Sequence, residues 1–203
     1  MGNALFDGGR DAFLNGSVDW VNDTINGVLV DLDDITGTIT DASNASPIVI
    51  TQTAHGFTDG DRVNIHGIVG NTNANGMYRI TTIDADSYSL DGTTGNAAYV
   101  SGGQALNLTS VANLLDIAVE ARVSISALTT QTTDKGVADA DDLTFTTVTG
   151  DQVESLILYK DTGVEATSTL LVFIDNATGL PVTPSGGDID IVWSDGIDKI
   201  FRL

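Results

Sequence analysis

Five short segments between residues 47 and 103 decide the fold: PIVITQT at 47–53, DRVNIH at 61–66, GMYRITTID at 76–84, SYSLDG at 87–92 and AAYVSGG at 97–103. In the second, Val63 and Ile65 alternate with Arg62, Asn64 and His66. In the fourth, Tyr88 and Leu90 alternate with serines. That period of two belongs to strands with one buried face. Asn75-Gly76 opens the third segment and Asp91-Gly92 closes the fourth, and such pairs accept the positive φ that tight hairpins need. Five strands packed into so short a stretch suit a small barrel or curled sheet.

Outward from these strands the composition changes. GTITDASNAS at 37–46 is small, polar and free of Lys and Arg, and Gly102-Gly103 ends the stretch. Residues 37–103 are therefore expected to form an inserted small β module, with 1–36 and 104–203 building one discontinuous main β domain. An insertion into an exposed hairpin is tolerated because its ends already lie close together.

The flanks also read as mostly β. Residues 3–15 suggest a short helix weakened by Gly8-Gly9, and a strand is expected around 26–32. Residues 110–117 allow two helical turns. Val119, Ala121, Val123 and Ile125 then alternate with Glu120, Arg122, Ser124 and Ser126, as in a strand with one wet face. Strands are expected at 143–148, 153–160, 168–175 and 188–193, with IDKIFRL closing the chain as a last one. The run Leu170–Ile174 has no alternation and should be buried on both faces. Connections are too short for helical crossovers, so pairing should be antiparallel. The expected class is mainly β: an antiparallel sandwich or barrel-like domain, an inserted small β module, and one or two short helices.

Composition excludes more chemistry than it suggests. The 203 residues contain 25 Asp but 3 Glu, and 8 Lys and Arg, for a net charge of −20. Asp suits turns and caps, because its short carboxylate reaches nearby backbone N–H groups. Clustered Lys and Arg for phosphate binding are missing, so no nucleic-acid partner is expected. With no Cys, disulfide frameworks, thiolate metal sites and cysteine nucleophiles are excluded. The chain carries no GxxxxGK, GxSxG, HExxH or strand-linked GxGxxG pattern. No enzyme activity and no cofactor are expected. Nor is a membrane partner, since the longest apolar run, Leu170–Ile174, is far too short to span a bilayer. The start, MGNALFDGGRDAF, lacks the basic and apolar regions of a signal peptide, so export is not expected.

Several constellations are candidate sites. His55 and His66 share a segment with Asp59 and Asp61, but their spacing matches no helix face or hairpin pair. Asn71-x-Asn73-x-Asn75-Gly76 has the spacing of a calcium loop without its carboxylates, with Thr82 at the twelfth position, and reads as a hairpin turn. Asp31/Asp33/Asp34 and Asp139/Asp141/Asp142 are acidic runs of the kind usually solvated, and no metal site is assigned. Tyr78, Tyr88 and Tyr99 are candidates for binding or for core packing, and packing is favoured. Leu5, Phe6, Phe13, Leu14 and Trp20 concentrate aromatic and apolar surface ahead of the main strands. They are the candidate intersubunit element, with packing inside one chain as the alternative.

Two stretches carry a family resemblance. NALFDGGRDAFLNGSVDWVNDTINGVLVD at 3–31, the blocks DADDLTF, GDQVE and LILYKDTG, and the ending DIDIVWSDGIDKIFRL resemble a family of small structural proteins of tailed-bacteriophage virions. The stretch between, marked by the AHG-x3-GD-V-I turn and the N-x-N-x-NG-Y hairpin, resembles a mobile β module of phage tail and head proteins. It is also similar to a half-domain of ubiquitin-activating enzymes, whose cysteine chemistry a chain without Cys cannot perform. The phage resemblance implies a non-enzymatic capsid decoration (cement) protein on the virion head, with the major capsid protein as partner and a homo-oligomer, a trimer favoured. Its alternatives are a tail, collar or fibre-base subunit, or a host-surface binding module working through the insert.

Overall fold

The computed structural model describes residues 4–34 and 37–203, and the chain divides into two compact units. One is contiguous, residues 32–111. The other joins the N-terminal segment, through Asp31, to residues 112–203. The strands of both pair antiparallel throughout, giving a mainly β molecule.

In chain order, the discontinuous unit begins with β1 (Ala4–Leu5), α1 (Asp7–Leu14) and β2 (Ile25–Val30). The contiguous unit contributes β3 (Asp41–Ala42), β4 (Ile48–Thr51), β5 (Arg62–His66), β6 (Gly76–Asp84), β7 (Ser87–Leu90) and β8 (Gln104–Asn107). The chain then returns through β9 (Arg122–Ala127), β10 (Thr132–Asp134), β11 (Val137–Asp139), β12 (Leu143–Phe145), β13 (Ser155–Lys160), β14 (Leu170–Ile174), β15 (Ile189–Ile191) and β16 (Phe201–Arg202).

The contiguous unit is one curled six-stranded sheet in the order β3-β4-β7-β6-β5-β8. Its two edges approach each other through residues 38–42. Thr38 bridges Gln104 and Ile39 N–H donates to Gly103 O, while Thr40 N–H donates to Thr51 O and β3 pairs with β4. Pairing on both sides leaves this sheet little open edge. The alternation expected at 61–66 is realised with Val63 and Ile65 inward beside Ile48, Ile50, Ile80, Tyr88 and Leu90. Asn64 is buried too. The fifth expected strand is shifted. Residues 97–103 form no strand beyond a Val69–Ser101 bridge, and the strand is β8, which pairs with β5 from Val63↔Asn107 to His66↔Gln104. The unit thus runs on past the joint expected at 103 because Ala105 and Leu106 fill its sheet.

The discontinuous unit is built on a five-stranded sheet, β1-β14-β13-β2-β9, accompanied by a three-stranded sheet β10-β11-β16 and the pair β12-β15. Leu143 and Phe145 of β12 share a core with Leu29, Leu156, Leu158, Leu171 and Val172 of the large sheet. The central strands β2 and β14 are buried at every residue, as the unalternating run at 170–174 required. Each fully buried aliphatic side chain there contributes about 1.5–3 kcal/mol.

Helix α1 lies against β14 at close range. A Cβ on Gly9 would stand 2.8 Å from Leu170 O, Leu171 Cα and Leu171 O, so the glycine that weakens the helix is what lets it approach the strand. Residues 110–117 form a single 3-10 turn, Leu114–Asp116, instead of two helical turns. The alternation expected at 119–126 is not realised: Ile125 is exposed, because β9 is the outer strand of its sheet.

Asp side chains fasten the loops, which explains their excess over Glu. Asp59 accepts from Thr82 N–H at 2.7 Å, Asp61 from Thr58 N–H at 2.9 Å, and Asp86 from Ala54 N–H at 2.8 Å. In the other unit Asp116 accepts from Asn113 N–H, Asp142 from Trp193 N–H and Asp188 from Thr147 N–H, at 2.8–2.9 Å. The Asp61–Thr58 and Asp116–Asn113 bonds close turns, where the short Asp side chain fits, and the other four tie segments 23 to 51 residues apart.

Candidate functional site

The asparagine-rich turn singled out in the sequence lies at one end of the contiguous unit. Residues 67–75 and 94–103 meet there over the segment 42–46. Asn71 is fully buried. Its amide nitrogen donates to Ser43 O at 2.8 Å, and its carbonyl oxygen accepts from Asn96 N–H at 3.1 Å. Asn73 Nδ2 donates to Thr94 O at 3.0 Å. Asn75 binds both backbone groups of Ile68, N–H and C=O, at 2.9 Å each. These are backbone-mimicking latches, each satisfying groups that a loop would otherwise leave unpaired. None is set out to ligate a cation, which agrees with the hairpin-turn reading.

Two tyrosines, Tyr78 and Tyr99, hold the same loops. Tyr78 Oη–H donates to Asn73 O at 2.7 Å and to Asn75 O at 3.0 Å, and burial pushes its pKa up, so it stays a donor. Tyr99 donates to Ile39 O and Gly102 O. Tyr88 is fully buried and donates to Gln52 Oε1 at 2.8 Å; burial raises its pKa as well. All three are packing residues. Gly70 has φ +94°, and a Cβ there would fall 2.2 Å from Ala98 O, so the two loops touch through a backbone that only glycine permits.

This scaffold leaves Val69 and Val100 outward, 52 % and 67 % exposed, with Ala98 beside them. No charged residue occurs in 42–54, 67–78 or 92–111. In a chain of net charge −20 that is a distinct surface: preordered, uncharged and partly apolar. The sequence signal for it is the long absence of charge.

The other sequence candidates separate. His55 Nε2 lies 2.9 Å from Asp84 O while its Nδ1 accepts from Phe57 N–H, and its ring stands edge-on to Tyr88. His66 Nε2 faces Asp33 Oδ1 at 3.3 Å. Asp59 and Asp61 serve Thr82 and Thr58, so among the described residues these four form no common site. Asp139, Asp141 and Asp142 also serve separate partners: Lys199, Thr130 and the Trp193 amide. Asp31 follows β2 and belongs to one unit, whereas Asp33 and Asp34 lie in the 3-10 turn Leu32–Asp34 of the other.

The residues of the candidate intersubunit element are placed unequally. Phe6 is fully buried and edge-on to Phe173, and Trp20 is buried with its Nε1–H on Asp139 O, so both are core of their own chain. Leu5 pairs with Val172, and Phe13 packs at a half-buried position against Phe201. Only Leu14 of the five is freely exposed, at 86 %. The segment folds back as a strand and helix on β14, which buries the rings of Phe6 and Trp20 within the chain.

In comparison with known proteins, residues 44–108, about a third of the chain, match the family model of the ubiquitin-activating enzyme E1 FCCH domain. No curated protein matches the chain. The match corrects the resemblance to tailed-phage virion proteins. With it fall the capsid-decoration and tail readings, the host-surface alternative and the virion location. The similarity of the inserted stretch to a ubiquitin-activating enzyme half-domain is the part of that reading that the match supports.

Proposed function

We propose that this chain is a non-catalytic protein-binding protein, in which the unit 32–111 presents its uncharged loop end to a second copy of the chain. The observation that carries this is the exposed Val69–Ala98–Val100 surface on latched loops, set in a chain of net charge −20. Copies so charged repel one another, and a face without charge is where they approach at least cost. Interface centres are likewise depleted of charge and built on ordered, apolar residues. The match to a named domain supports treating this stretch as a module, and without a Cys it takes no part in cysteine thioester transfer.

Sedimentation across a concentration series tests the proposal. Association should strengthen with added salt, which screens the repulsion over about 10 Å at 0.1 M. Val100→Asp or Val69→Asp should weaken it by about tenfold or more, the effect expected of a central interface residue. A monomer at every concentration and salt, or association untouched by both substitutions, overturns the proposal. Turnover of a supplied substrate that one Asp→Asn change abolishes would overturn its non-catalytic part.

A further inference from the structure

Three Asn-Gly pairs occur in the chain, and the structure places them in unlike surroundings. Asn26 lies in the buried strand β2, 8 % exposed, its Nδ2 on Asp161 Oδ2 at 2.9 Å, and Gly27 sits opposite Leu158 in the sheet. Asn75 has both amide atoms bonded to Ile68, and Gly76 pairs with Ile65 in β5. Asn15 and Gly16 are exposed at the end of α1. Nothing lies within 4 Å of where a Gly16 Cβ would be, and the Gly16 amide donates only a long bond, 3.3 Å, to Phe13 O.

The Asn15 side chain is also polarised. Its Oδ1 accepts from Ser17 N–H at 2.9 Å and from Ser17 Oγ–H. Two donors on that oxygen draw charge from Cγ and stabilise the oxyanion that forms when a nucleophile adds there.

We propose that Asn15 is a site of spontaneous deamidation, a slow covalent clock whose only co-reactant is water. The Gly16 amide nitrogen gives its proton to solvent base and adds to Asn15 Cγ. The Cγ–Nδ2 bond breaks and ammonia leaves with a solvent proton, closing a succinimide. Water then adds to either succinimide carbonyl, that C–N bond breaks, and an aspartyl or isoaspartyl residue stands at position 15. No oxidant or reductant is needed. The product adds a negative charge at the C-terminal end of α1, where the helix dipole is already negative. In the isoaspartyl form the extra backbone carbon disturbs the terminal bonds Asn15 N–H to Asp11 O and Ser17 N–H to Ala12 O. The modified α1 is then held less firmly.

Peptide mapping of the full chain after prolonged incubation in mildly alkaline buffer tests this, with fragmentation distinguishing aspartyl from isoaspartyl products. In the native protein Asn15 should convert at least about a hundredfold faster than Asn26, which reacts only when a core strand opens. In denaturant all three sites should convert at similar rates. Ser17→Ala should slow native conversion at Asn15 severalfold while leaving the denatured rate unchanged. Native conversion at Asn15 no faster than at Asn26 and Asn75 overturns the site, and a native rate indifferent to Ser17→Ala overturns the polarising role of Ser17.

Discussion

The two units close their cores by different means. The contiguous unit 32–111 curls a single sheet, and its loop end is tied by side-chain amides: Asn71, Asn73, Asn75 and Asn96. The discontinuous unit instead relies on strands remote in sequence. β2 pairs on one side with β13 and on the other with β9, and β14 is buried throughout. The first design puts specificity into polar contacts at the surface, the second into apolar layers. Each should therefore fail under a different kind of substitution.

The largest effect should follow from Phe173→Ala in the discontinuous unit. Phe173 is fully buried beside Phe6, and its truncation should cost about 3–5 kcal/mol in urea unfolding. Hydrogen exchange should rise in β2, β13 and β14 while the amides of β4 to β7 keep their protection. An equal loss of protection in both units would break the comparison.

A polar substitution should do to the contiguous unit what Phe173→Ala does to the other. Asn71→Ala leaves Ser43 O and the Asn96 amide without their partner, for a loss of about 1–3 kcal/mol. Amide protection at 94–101 and the proposed self-association should be lost together. If the loops stay protected, the latches are not what orders them.

Gly9→Ala sets helix propensity against packing. Ala gains about 1 kcal/mol in a helix interior, but its Cβ meets the β14 backbone at 2.8 Å, an overpacking worth about 1–3 kcal/mol. A net loss is expected in thermal melts, and a net gain would show that α1 can shift off β14.

The smallest effect concerns acid. Asp59 is held below the ordinary carboxylate pKa by the Thr82 hydroxyl and then the Thr82 amide. Asp84 is held below it chiefly by the Asp86 amide, and Asp19 chiefly by the Asn22 side chain. Because these folded-state values lie below the unfolded ones, the stabilisation is full above the carboxylate range and is lost as pH falls through it. Thr82→Val should flatten the decline of the melting temperature between about pH 5 and 2. An unchanged slope would mean that Asp59 plays no part in acid unfolding.

Much of the strand pattern was legible because it is local. Val63 and Ile65 alternate inward as their spacing demands, and Leu170–Ile174 is buried on both faces as an unalternating run must be. Errors fell where neighbours decide. Ile125 has the alternation of a half-buried strand, but β9 has a partner on one side only and that side chain is left in water. Residues 97–103 have strand composition, yet Tyr99 spends its hydroxyl on Ile39 and Gly102 and the pairing passes to 104–107. The Asn repeat was visible as a turn. That its latches hold Val69 and Val100 on an uncharged face was not, because the contacts join residues about 25 apart, such as Asn71 and Asn96.

By itself the sequence determined the β class, the antiparallel pairing and the absence of cysteine chemistry. Each of these rests on residue type and short-range spacing, which constrain backbone geometry and reactivity directly. Only the tertiary structure decided that Phe6 and Trp20 are core while Leu14 is exposed, that the contiguous unit runs through β8, and that Asn15 is the exposed member of three identical dipeptides. Burial and bonding are properties of what packs against a residue, and that is set by segments far along the chain whose approach no local pattern encodes.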